Sequence, residues 1–277
     1  MKNYLLRNFY LLSILGLFFV LACKKLPNEG IPSYIKLVRP ILETSPEQGA
    51  AVHSFSDIWI ESEGNNLGAY EYPLTFAAYL AGSKKTICNP GIWHNGNGQD
   101  RRIHPAIEVF DTTYNFIQKD TVEIQPIFRY KENVDFIYVE DFEATNNFSN
   151  TVRTELTSPE NQTGKAATII LSASENKKTA QTISPIPISV GQRVYLEFSF
   201  KSENYGGFGF RSVSDQDVIL RLGTFSPFSK WTTVYYNLTN FVNVTKEGTY
   251  EFYMETERGD LTGDSKTYID NFKILQF

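Results

Sequence analysis

Three carboxylates near the two ends of the second half of the chain, Asp141, Glu143 and Asp270, are the residues best placed by type and spacing to hold a metal ion. If the strands that carry them lie side by side, their oxygens could share a structural calcium, which takes several oxygen ligands at about 2.3–2.6 Å. The competing reading makes them turn and edge carboxylates with no ion. A second set is aromatic: Tyr205, Phe208, Phe210 and Trp231. Exposed faces of such rings stack on sugar rings; turned inward, the same rings are core. A third set, Cys88, His94 and His104, has zinc-ligand chemistry, but its spacing matches no compact zinc motif and a fourth ligand is not evident. Catalytic signatures are missing. There is no Gly-x-Ser-x-Gly, no His-Glu-x-x-His and no phosphate-cradling loop, and only three histidines serve as general-base options. Glu255 and Glu257 fall on one strand face and read as solvated edge.

The elements that must position these side chains read as strands. Aromatic residues are 14% of the chain, and no long helical Ala/Leu/Glu/Lys periodicity is present, which favours sheet. Net charge is −5, from 26 basic and 31 acidic residues, and no basic face is visible, so a nucleic-acid partner is not expected. With only Cys23 and Cys88 there is no disulfide framework, and Cys88 reads as a small buried apolar residue.

Alternation locates the strands. Ile58 and Ile60 take one face against Asp57, Trp59 and Glu61, with Glu63-Gly64-Asn65-Asn66 as the hairpin turn and 67–72 as the return strand. Further strands are expected at 35–38, 84–88, 109–116 and 121–130, with Asn89-Pro90-Gly91 read as a turn. In the second half, Leu196, Phe198 and Phe200 alternate with Tyr195, Glu197 and Ser199, and strands are expected at 208–213, 218–222, 231–238 and 250–256.

Two resemblances follow from these runs. Asp57-Ile58-Trp59-Ile60, Gly68 to Pro73, Gly82, Pro90-Gly91-Ile92 and Asn95-Gly96 resemble uncharacterised outer-membrane lipoproteins of Bacteroidota, in which a small transthyretin-like sandwich follows the lipid anchor. The opening Asp141-Phe142-Glu143 and the close Tyr268-Ile269-Asp270-Asn271-Phe272 resemble jelly-roll modules of the carbohydrate-binding type. The expected fold class is therefore all-β: two tandem β-sandwiches, residues 33–132 and 133–277, the second jelly-roll-like.

The N-terminus sets the expected compartment. Lys2 and Arg7 precede an apolar run from Phe9 to Leu21, too short to span a bilayer comfortably and right for a signal peptide over 1–22. Val20-Leu21-Ala22-Cys23 resembles the bacterial lipobox, with Val20 where Leu is usual. That resemblance implies acylation of Cys23, whose three chains anchor a protein effectively permanently. Residues 23–32 read as a polar tether, and no Asp follows Cys23, which by the same resemblance favours the outer membrane. The expectation is a non-catalytic, lipid-anchored accessory or structural subunit of an outer-membrane barrel complex. A glycan-binding surface lipoprotein using Tyr205, Phe208 and Trp231 is the alternative. An envelope-polysaccharide hydrolase ranks last, for want of a motif.

Overall fold

The computed structural model describes residues 30–156, 164–214, 218–245 and 248–277. The signal peptide, Cys23 and most of the tether lie outside them. The N-terminal unit has ten strands: β1 (Ser33–Leu37), β2 (Ile41–Glu43), β3 (Asp57–Ser62), β4 (Asn65–Tyr70), β5 (Leu74–Ala78), β6 (Gly82–Trp93), β7 (Arg101–Ile103), β8 (Phe110–Phe116), β9 (Thr121–Ile124) and β10 (Ile127–Arg129). The C-terminal unit follows with β11 (Asp135–Glu140), β12 (Val152–Glu155), β13 (Lys165–Leu171), β14 (Lys177–Gln181), β15 (Ile186–Ile188) and β16 (Val194–Ser202). It closes with β17 (Tyr205–Ser212), β18 (Ile219–Phe225), β19 (Phe228–Asn237), a short helix α1 (Thr239–Thr245), β20 (Gly248–Glu257) and β21 (Ser265–Gln276).

The first unit is a sandwich. One sheet is ordered β5-β1-β9, the other β4-β3-β6-β7 with β8 on the free length of β6, and β2 and β10 form a separate parallel pair. Ile35, Leu37 and Ile124 from the first sheet meet Ile58, Ile60, Cys88 and Phe116 from the second in one core. The β3–β4 hairpin turns on Glu63 (φ 51°) and Gly64 (φ 78°), two successive positive φ angles that match the right-handed twist of the strands. Asn65 and Asn66 already belong to β4.

Two sequence expectations need correction here. Asn89-Pro90-Gly91 is not a turn but the middle of the twelve-residue β6, where Ile58 faces Pro90 and Asp57 faces Gly91. Pro90 is tolerated because it sits where β6 changes neighbours. Pairing with β8 ends at Cys88 and pairing with β7 begins at Gly91, so the missing N–H falls in the gap. The strand expected over 121–130 is two strands, split at Gln125 and Pro126, and they join different sheets.

The second unit is a jelly-roll-like sandwich. One sheet runs β12-β13-β21-β16-β19, and the other β14-β20-β17-β18 with β15 also on β20. Strand β21 is central: β16 pairs along one edge, while β13 and then β11 share the other. Between the sheets lies an aromatic core. Phe252 and Phe272 are 4.8 Å apart, Phe198 and Phe208 5.0 Å, and Phe148 and Phe272 5.3 Å, all with steeply inclined rings. Such edge-to-face pairs add about 0.5–1.5 kcal/mol each beyond the area they bury.

The sheet of β16, β19 and β21 has a second buried face. Tyr195, Tyr235 and Leu275 point away from the jelly-roll core and complete the core of the first unit. Buried polar groups accompany them. Glu197 accepts hydrogen bonds from His104 Nε2 at 2.8 Å and from the Tyr130 hydroxyl at 2.6 Å. The Ala106 N–H donates to His104 Nδ1, so Nε2 carries the hydrogen given to Glu197. Burial, the largest influence, would raise the Glu197 carboxyl; His104, Lys273 and Tyr130 together outweigh it and hold the carboxyl below its ordinary value. Lys273 donates to the Ala50 carbonyl at 2.9 Å, and burial pushes its ammonium down to about 8.

Candidate functional site

A cleft of about 770 Å³ opens between the two units, within the range of small-ligand sites. Its first wall comes from the irregular segment 53–56, with Tyr72 and Trp93 beside it; its second comes from β19 and Thr224. The segment 53–56 has no strand partner along its length, so side chains and single backbone bonds hold it. The Tyr72 hydroxyl donates to the Phe55 carbonyl, and the Ser56 N–H donates to the Gly91 carbonyl at 2.8 Å. From the other unit, the Tyr235 hydroxyl accepts the Ser54 N–H at 3.0 Å, and Ser54 Oγ accepts the Thr233 N–H at 2.9 Å. Both units therefore fix one wall.

His53 is buried among these groups. Its ring stacks on Phe55 at 4.3 Å. Burial, and then the charge of Arg39, push its pKa down to about 4 against a hydrogen bond to the Pro40 carbonyl that favours the charged form. Nε2 donates to that carbonyl and Nδ1 accepts the Phe55 N–H. At neutral pH His53 is thus an uncharged ring with both nitrogens committed to backbone, a wall element rather than a base.

Two tryptophans border the opening. Trp93 ends β6 and is 47% exposed. A Cβ built on Gly98 would lie 3.6–3.8 Å from its indole, so the Gly98 backbone rests against the ring and orients it. Trp231, half-buried on β19, meets Tyr268 edge-on at 6.1 Å, and the Lys201 ammonium lies 5.3 Å from its ring centre. Ser54, Ser56, Thr232 and Thr233 also line the space, with Arg39 and Lys230; the four hydroxyls are engaged with the Thr233 N–H, Asp57, the Lys230 carbonyl and Ser199 in turn. No carboxylate is among the lining residues. The paired acid and base of glycoside hydrolysis are therefore not presented by them.

The aromatic residues picked out from sequence separate on this map. Trp231 lines the cleft directly. Phe208 also lines it but is 2% exposed, so its ring belongs to the jelly-roll core. Phe210 is fully buried in that core. Tyr205 is exposed at the start of β17, beside Gly259, and is not part of the lining. Sequence reasoning missed Trp93, His53, Arg39 and Tyr72. An exposed Trp beside a Gly-rich polar loop was the one available signal.

The carboxylates lie close enough to act on one another. Burial first, and then the charges of Glu143, Asp141 and Glu140, raise Asp270 to about 8, opposed by the Asn271 N–H that it accepts at 2.7 Å. Asp141 accepts the Glu143 N–H at 3.1 Å, and Glu143 accepts the Lys165 N–H at 2.9 Å. Among the described residues, no three His, Cys, Asp or Glu side chains are arranged as a metal set. Glu140, not singled out from sequence, is buried and accepts the N–H groups of Phe142 and Asn147 and the Thr145 hydroxyl. Cys88, His94 and His104 do not meet. Cys88 is a free thiol buried in the first core, its pKa raised by burial to about 12; His94 pairs with Asp100; His104 with Glu197.

No family model matches the chain, and no curated protein matches it. Among solved structures, an exo-β-agarase matches 52% of this chain at 11% identity and a TM-score of 0.39; the match spans only 26% of the agarase. A family 29 carbohydrate-binding module, CBM29-2, matches 52% of the chain at 13% identity and a TM-score of 0.33, over 90% of its own length. The C-terminal CBM6 of the laminarinase LamC from Zobellia galactanivorans matches 52% of the chain at 17% identity and a TM-score of 0.32, over its full length. With identities and TM-scores this low, what the cleft holds is argued from its own residues.

Proposed function

We propose that the protein is a non-catalytic glycan-binding protein, with the cleft between its two units as the binding site and a lipid on Cys23 as its membrane tether. The observation that carries the reading is the cleft's make-up. Two partly exposed indoles, Trp93 and Trp231, flank a space lined by serine and threonine residues and by no carboxylate. Saccharides need that combination. Indole faces accept the apolar faces of the rings, and hydroxyls exchange hydrogen bonds with the rings' own. This favours the glycan reading over an accessory subunit of a barrel complex. Affinity electrophoresis through gels containing soluble polysaccharides tests it. Wild type should be retarded by at least one, and Trp93→Ala and Trp231→Ala should each weaken retention about tenfold, the scale of losing a stacked aromatic contact with its buried area. Equal retention of both variants and wild type would remove the cleft from consideration. Mass spectrometry of the membrane-extracted protein, finding an unmodified thiol at Cys23, would remove the anchor.

A further inference from the structure

We infer that the saccharide this cleft takes is anionic, a chain bearing carboxylate or sulfate groups. The inference rests on the glycan reading above and adds the charge class of the ligand. The chain as a whole carries more acidic than basic residues, 31 against 26, yet the cleft lining reverses the balance. Arg39 and Lys230 are its charged side chains, facing the space from opposite walls, and both are exposed. Among the described residues neither makes an ion pair, a state they share with other cations such as Lys84, Lys119 and Arg193; what sets them apart is a lining that holds no acidic side chain beside them. Lys201 stands over Trp231 and Tyr268, at 5.3 and 4.9 Å from their ring centres, on the sheet face that continues from the cleft. Cations in a lining that holds no carboxylate suit a ligand that brings its own negative charge. A neutral sugar would leave Arg39 and Lys230 solvated and unused. A uronate or sulfated unit stacked on Trp93 or Trp231 places its anionic group within reach of a guanidinium or ammonium, where charge-assisted hydrogen bonds are stronger than neutral ones.

The test compares polygalacturonate, dextran sulfate and unmodified dextran as probes for the whole protein. Wild type, Arg39→Gln, Lys230→Gln and Trp93→Ala are run beside Lys119→Gln, an exposed cation outside the lining. Carboxylated or sulfated polymer should bind at least tenfold more tightly than dextran and weaken as salt screens the charges. Each cleft substitution should lower that affinity about tenfold, with Lys119→Gln unchanged and far-UV circular dichroism the same for all. The polymer with the larger loss identifies the anionic group. Equal binding of dextran and its sulfate, or equal losses in Lys119→Gln and the cleft variants, would overturn the charge assignment and leave the glycan reading in place. Failure of every polymer to retain wild type would overturn the glycan reading itself.

Discussion

Asp270 is the side chain whose protonation most directly couples to folding. Its carboxyl is 3% exposed and raised to about 8, so the native state binds a proton that the unfolded chain releases above about pH 4. A raised folded pKa means that this proton's contribution is complete below about pH 4 and fades as pH climbs to 8. Asp270→Asn removes the cost of a buried charge and keeps an acceptor for the Asn271 N–H. It should match wild type near pH 4 and gain on the order of 1–3 kcal/mol by pH 8, read from denaturant titrations at the two pH values. Calcium provides a second readout at the same residue. An ion shared with Asp141 and Glu143 would raise the wild-type Tm on titration and make Asp270→Asn the less stable protein in its presence. An unchanged Tm in both would leave the three as plain carboxylates. Lys273 works in the opposite direction. Its pKa, lowered to about 8, makes burial of its charge least favourable below that value, and the penalty lifts as pH rises through 8 toward 10.5.

Strand β17 shows why some elements declare their neighbours in sequence and others do not. The glycines of Tyr205-Gly206-Gly207-Phe208-Gly209-Phe210 serve close approach of neighbouring strands rather than a bend. A Cβ on Gly209 would stand 1.9 Å from the Leu220 carbonyl oxygen, and one on Gly206 would stand 2.2 Å from that of Glu255. Neither glycine has a positive φ, so space rather than backbone freedom is the constraint. Gly209→Ala must push β18 away, where the ladder is already bulged between Phe208 and Gly209. A loss of about 1–3 kcal/mol, measured by urea unfolding, is the expected cost of such overpacking. Alternation made Leu196, Phe198 and Phe200 on β16 easy to read, because one face is a hydrophobic core. It was silent about the other face. Tyr195, Glu197 and Tyr235 look like solvent-facing positions in a lone sandwich, yet they are buried under the first unit. Pro90 misled for the converse reason. The change of strand partners that accommodates it is a property of the whole sheet. The cleft was legible only at Trp231, since 53–56 has neither strand period nor motif and acquires its role from chains folded around it.

Across the whole molecule the two units behave as one because each finishes the other. The first core needs Tyr195, Tyr235 and Leu275, and Glu197 needs His104 and Tyr130. Wild type should therefore unfold in a single calorimetric transition. Glu197→Ala strips Tyr130 and His104 of their acceptor and removes the larger of the two counter-charges, Glu197 and Asp141, that act on Lys273. A loss of about 3–5 kcal/mol, the range for breaking a buried charged pair, should separate the melt into two steps. A single transition at unchanged temperature would show that the joint contributes little. The central position of β21 has a consequence for assembly during synthesis. Residues 265–276 supply the ladder for three earlier strands, and Leu275 seals the neighbouring core as well. A ribosome-bound chain arrested before Ser265 leaves β11, β13 and β16 without that shared neighbour, exposing apolar edges of both halves at once. Such a nascent chain should engage holding chaperones until the last strand emerges, which ribosome-bound chains stalled on either side of 265–276 would show by crosslinking.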